Sequence, residues 1–237
     1  MKINFRAMTA DEAWSYIEEM HDDYHNHLKA FGYGYKNWIP NRPELQEMFE
    51  APHITPEMRA KYRDLFINHI YKEQRLHRLD DTLATVAVPT LHRVVKTLMP
   101  FAKKWGIKFP DSVEILTTYG CGGSYDGWAD SPKIIFRMTR YLSDRTPGLL
   151  LHEFIHLLIE KPIIQKYNVP QDLKERIVDI IGFEYFGRPV QSKYENSFAN
   201  NYITRSVIEN DLPGAVQKMM ADCAVMNQKI ANTKSNG

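Results

Sequence analysis

The sequence predicts an α+β fold, mostly helical, in which a small antiparallel sheet and a buried helix occupy residues 107–237 and a helical N-terminal lobe occupies residues 1–106. Three observations carry that prediction. Helix-start signals and apolar residues at helical spacing fill the first hundred positions. After Gly106 the character changes, and two short β-rich runs flank a glycine-rich turn. From Thr146 a helix follows that is apolar on almost every side except for one polar stripe.

The N-terminal elements follow in order. Thr9-Ala10-Asp11-Glu12 is a capping-box pattern, and Ala13, Ile17, Met20 and Tyr24 continue it at helical spacing until Gly32 and Gly34. Pro43 opens a short helix through Phe49, and Thr55-Pro56-Glu57 opens another that should run to about Leu79. Asp81-Thr82 can cap a fourth, with Leu83, Val86, Leu91, Val94, Val95 and Leu98 on its apolar side and a kink expected at Pro89. Val113–Tyr119 and Lys133–Met138 read as strands around the turn-rich Gly120–Gly127 segment. The tail after Asn227 is polar and expected to fray.

Composition narrows the class. At 237 residues, 43% hydrophobic and 25% charged, the chain can bury a sizeable core. Its 30 basic and 29 acidic residues leave no global field to draw nucleic acid or an anionic membrane, so neither is expected as a partner. Cys121 and Cys223 make neither a disulfide framework nor a paired-cysteine metal motif, and both read as reduced thiols. The start, Met1 to Arg6, lacks the apolar run of a signal peptide, and the longest apolar stretch, Leu149 to Ile159, is too short and too interrupted to span a bilayer. The expectation is a soluble chain, cytoplasmic or with a leader already removed.

The chemistry concentrates in His152-Glu153-Phe154-Ile155-His156. Thr146-Pro147 starts the helix, and at about 100° per residue the two histidines fall about 40° apart on one face and about 6 Å apart along the axis. Two imidazole nitrogens so placed can converge on one zinc ion, while Glu153, one residue on, can reach a water beside it. Leu150, Leu151, Phe154, Ile155, Leu157, Leu158 and Ile159 cover the remaining arc, so the polar stripe should line an interior cleft. Ionisable groups in such a place need a partner or a metal.

A catalytic zinc site takes three protein ligands. The position six residues after His156 is Pro162, not a histidine, and Glu160 lies about 12 Å along the axis from His152, which makes it a rim residue. The better candidate is on the helix opened by Val169-Pro170-Gln171-Asp172. There Glu175 and Asp179 stand one turn apart on one stripe, and Gly182 extends the stripe where another backbone could approach.

With His-Glu-x-x-His on one helix and Glu175-Arg176-Ile177-Val178-Asp179 on the next, nineteen residues after His156, the segment 110–190 resembles the gluzincin metallopeptidases, the thermolysin-like class. The resemblance implies a zincin-like catalytic domain over 107–237, with His152, His156 and Glu175 as zinc ligands. It implies Glu153 as general base and Asp179 as the acceptor that holds a ligand histidine. The family pattern also places an antiparallel edge strand, to which an extended substrate adds, just before the active-site helix, the place Lys133–Met138 occupies. A peptide or protein is expected as the substrate. The asparagine that often precedes the ligand glutamate is absent, since Lys174 stands there. Gluzincins add a downstream histidine or tyrosine for the oxyanion. No histidine follows His156, so Tyr194 is preferred, with Tyr202, Arg188 and Arg205 as alternatives.

Two other readings stay open: a zinc-binding regulatory or interaction module with little turnover, and a non-peptidase zinc amide hydrolase. Elsewhere, His21 and His25 stand one turn apart and could hold a second metal. With Asp22, Asp23 and His27 nearby and no further ligand, a solvated polar face is expected instead. Tyr33, Tyr35 and Trp38 read as a packed loop, and Cys121 as part of a tight turn, not a nucleophile.

Overall fold

A computed structural model describes the chain apart from residues 32–33, 35–41, 120–123, 128–131, 138–145, 189–196 and 236–237. It is mostly helical with one small sheet, the α+β class that the sequence predicts. The loop around Tyr33, Tyr35 and Trp38, the Cys121 turn and Tyr194 lie outside the described residues. The chain divides into two compact units, Lys2–Pro89 with Ser112–Leu150, and Thr90–Asp111 with Leu151–Gly237.

The first unit is built on the sheet. Strand β1 (Lys2–Ala7) precedes the first helix, in a stretch read as helical although Ile3, Phe5 and Ala7 alternate with polar residues. It pairs in parallel with β2 (Ser112–Thr118), β2 pairs in parallel with β4 (Lys133–Arg137), and β3 (Ser124–Asp126) closes the order β1-β2-β4-β3 antiparallel to β4. The sheet is therefore mixed, where an antiparallel one was expected. Lys133–Arg137 is an interior strand, so the expectation of an edge strand there does not hold. The short β3 takes that edge because the turn-rich segment folds back on β4.

Helix α1 (Ala10–Asn26) begins at the expected capping box. The Glu12 N–H donates to Thr9 Oγ1 at 3.2 Å, and the Thr9 N–H donates to Glu12 Oε2 at 2.8 Å. The same Glu12 accepts two bonds from Arg6, whose Nε also reaches Glu114 at 2.9 Å, so one guanidinium joins β1, β2 and the start of α1. Helices α2 (Pro43–Glu50) and α3 (Pro56–Leu65) start at their predicted prolines. Trp14, Ile17, Leu45, Phe49, Tyr62 and Phe66 form the buried core between helices and sheet.

The helix expected from Pro56 to about Leu79 ends early. A π-turn, Phe66–Ile70, follows α3, and Tyr71 is extended at φ −66°, ψ 130°. Its ring packs into the core and its hydroxyl donates to the Met8 carbonyl, which takes Tyr71 off the helical path. The next helix, α4 (Glu73–Leu98), thus contains Asp81 and Thr82 where a cap was expected. It also continues through Pro89, an exposed position of the helix.

The expected solvated face at His21 and His25 is also overturned. His21 is 1% exposed, and its Nε2–H donates to the Ala51 carbonyl at 2.8 Å. His25 Nε2 donates to the Phe49 carbonyl at 2.8 Å. The two rings lie side by side on α1, tilted by 43°, and satisfy carbonyls at the C-terminal end of α2, where a helix leaves such groups without intrahelical partners. They form no metal-ligating group among the described residues.

In the second unit, α5 (Ala102–Trp105) ends at Gly106, which takes φ +70°. Trp105 is fully buried, stacks on Phe101 and donates its indole N–H to the Ile208 carbonyl at 2.9 Å. That bond fastens α5 to α8 (Arg205–Ser235), which continues past Asn227 where fraying was expected. Within α8 the backbone breaks at Asp211, whose carboxylate caps the Gly214 N–H ahead of a second helical stretch. Helices α6 (Thr146–Ile159) and α7 (Gln171–Phe186) carry the polar cluster described below. Among the described residues no helix is long and apolar enough to cross a membrane.

Thr9→Ala should lower unfolding free energy by about 1 kcal/mol, since the side-chain acceptor of the Glu12 N–H is lost. Urea denaturation followed by circular dichroism measures it, and an unchanged midpoint would contradict the role given to the box.

Candidate metal centre

From Leu150 to Ile159 every residue of α6 is buried, as its apolar circumference requires. The polar residues of the stripe are carried inward with it. His152 is 6% exposed, Glu153 7% and His156 1%. The helix ends in a π-turn, Glu160–Gln165, where the Glu160 carboxylate accepts from Gln165. Glu160 is thus occupied with its own turn. Asn168, at φ 51°, then reverses the chain into α7, a left-handed conformation that asparagine tolerates better than most residues.

Helix α7 brings Glu175 to the two histidines. His152 Nε2 and His156 Nε2 are 3.0 Å apart, Glu175 Oε2 is 3.2 Å from the first, and Oε1 is 3.4 Å from the second. A tetrahedral ion with bonds of about 2.0–2.1 Å separates its donor atoms by about 3.3 Å, so these three side chains have the spacing of one coordination sphere. Two nitrogens and one carboxylate also make a donor set that zinc accepts, with a fourth position left over.

The electrostatics fit the same arrangement. Burial alone would raise the Glu175 carboxyl, but above all the hydrogen bonds from His152 and His156 outweigh it and hold Glu175 well below the usual carboxylate range. Glu153 behaves oppositely. It sits on α6 between the histidines in sequence, and desolvation pushes its carboxyl up to about 7, with the charge of Glu175 adding to the effect and His152 opposing it. Two carboxylates in one cluster are thereby driven to different tasks, one fully ionised and one able to exchange a proton near neutrality.

No family model, curated protein or solved structure matches this chain. The site is therefore read from its own geometry.

Of the remaining expected residues that the structure describes, Asp179 and Arg188 are at the cluster and Tyr202 and Arg205 pair elsewhere. Asp179 is buried, but its Oδ1 is 3.8 Å from His152 Nδ1, too far for the direct bond expected of it. Arg188 Nη1 lies between them, 2.6 Å from each. Tyr202 donates its hydroxyl to Asp222 at 2.8 Å and Arg205 pairs with Glu209 at 3.1 Å, so neither is offered to the cluster. Cys223 is half-buried and carries no disulfide.

Gln171 was not anticipated from the sequence. Its amide donates to Glu175 Oε1 at 2.7 Å from one turn earlier on the same helix. The i, i+4 spacing was the available signal, hidden because Gln171 read as part of a helix start. Gly182 does admit a close neighbour, but it is the side chain of Arg188, not a backbone. A Cβ placed at Gly182 would lie 3.4 Å from Arg188 Cδ and 3.7 Å from Leu151 Cδ2.

Zinc titrated into metal-free protein by calorimetry should bind at one ion per chain, with binding lost in His156→Ala and Glu175→Ala. Gln171→Ala, which loosens only the carboxylate's outer contact, should weaken it by about 10–100-fold. Equal affinity in all four proteins would show that the ion binds elsewhere.

Proposed function

We propose that this chain is a zinc-dependent hydrolase of the gluzincin-like kind, acting on peptide bonds. The observation that carries the reading is the convergence of His152 Nε2, His156 Nε2 and a Glu175 carboxylate within 3.4 Å in a buried pocket of charge. These three residues would hold the ion, and a bound zinc supplies Lewis-acid polarisation of a carbonyl and of a water.

The chain's own part in the reaction falls to Glu153. Its carboxyl, buried beside the ligands and set to about 7 by desolvation, is fitted to take a proton from the attacking water and hand it to the leaving nitrogen. Gln171 fixes the face that Glu175 presents, and the packed apolar flanks of α6 fix both histidines. The choice of a peptide bond rests on the resemblance of the His-Glu-x-x-His and Glu-x-x-x-Asp spacing to gluzincins, and the substrate is accordingly an unstructured protein or a peptide.

Glu153→Gln should retain zinc and lose cleavage of an unfolded protein substrate by about 100-fold or more. A variant that keeps both zinc and full activity would contradict the scheme. A wild-type protein that binds zinc at this site and cleaves nothing would support a regulatory module instead.

A further inference from the structure

We propose that Arg188 holds His152 in the tautomer that cannot bind a metal, and so sets the affinity of the centre from just outside it. The proposal rests on the metal reading above. A guanidinium has five N–H donors and no acceptor. With Nη1 at 2.6 Å from His152 Nδ1, that nitrogen must accept, and the ring proton of the neutral imidazole resides on Nε2. An acceptor stands ready there, since Glu175 Oε2 is 3.2 Å from Nε2.

A neutral imidazole that gives Nε2 to a metal carries its proton on Nδ1 instead. That proton would face Nη1 at 2.6 Å, donor against donor. Metal binding therefore requires two linked changes: the ring proton changes nitrogen, and Arg188 withdraws from Nδ1. The acceptor that takes over is Asp179, whose Oδ1 is already 3.8 Å away and whose side chain is fully buried. Arg188 is the member able to move, because its side chain remains 17% exposed and has a path to solvent. Its positive charge beside the ligands opposes an incoming dication as well.

The local sequence builds this seat. Gly187 takes φ +66° and ends α7 in the left-handed turn that suits glycine, so the chain doubles back on the helix. The Arg188 N–H then closes on the Gly182 carbonyl at 3.1 Å, and the absent side chain at Gly182 leaves the space over which the arginine stem lies. Asp179, Gly182, Gly187 and Arg188 thus act as one unit that places a cation against His152.

Proton–nitrogen correlation spectra of histidine-labelled protein test this directly. Metal-free wild type should show the His152 proton on Nε2, and zinc saturation should transfer it to Nδ1. Arg188→Met, checked for folding by circular dichroism, should show Nδ1–H without metal and bind zinc about 10-fold tighter or more. Nδ1–H in metal-free wild type, or zinc binding no tighter in the folded variant, would overturn the proposal, and the wild-type spectra decide it even where the variant does not fold. Zinc binding to neither protein would overturn the metal reading and this proposal together. Zinc bound by a wild type that is Nδ1–H before metal would overturn this proposal alone.

Discussion

The burial of four ionisable side chains against one another, His152, Glu153, His156 and Glu175, is the constraint around which this molecule is organised. Helix α6 is apolar on nearly every side, so it folds only as a buried element, and His152, Glu153 and His156 go inside with it. Desolvating such groups singly costs several kcal/mol each, and the cost is met only by mutual compensation. Glu175 supplies it from α7 as a carboxylate held ionised by two imidazoles. Removing any one member takes a partner from the others in a dry place, which is why the cluster behaves as a unit.

The surrounding contacts set the geometry of that unit. Gln171 and Arg188 stand at opposite ends of α7 and reach back to the same cluster, one to the Glu175 carboxylate, the other to His152 and Asp179. Each is placed by a helix terminus: Gln171 opens the first turn, and Arg188 follows the glycine that ends the last. Trp105 does comparable work for α8, fixing it to α5 through a single buried indole bond. In the first unit His21 and His25 use the same logic, spending imidazole donors on the carbonyls that α2 cannot satisfy within itself.

What was legible in the sequence was what repeats locally. The Thr9–Glu12 box, the prolines at 43 and 56, the apolar girdle of α6 and the one-turn spacing of His152 and His156 are all set by residues within a turn or two of each other, and these elements form where the local pattern puts them. The failures are non-local. Strand β1 is a strand because β2, over a hundred residues on, pairs with it. Whether Lys133–Arg137 was an edge or an interior strand depended on where Ser124–Asp126 folded back. Tyr71 breaks its helix for a hydroxyl partner at Met8, and the His21 stripe, polar by type, is buried by the carbonyls it meets. Asp179 was assigned a direct bond to histidine, and the intervening Arg188 came from beyond a glycine turn that spacing along a helix does not encode.

X-ray absorption at the zinc edge of the loaded protein tests the central claim most directly. The account predicts two imidazole nitrogens, one carboxylate oxygen and one further light atom, all at about 2.0–2.1 Å. A sulfur scatterer at about 2.3 Å, or a shell without imidazole scattering, would contradict it.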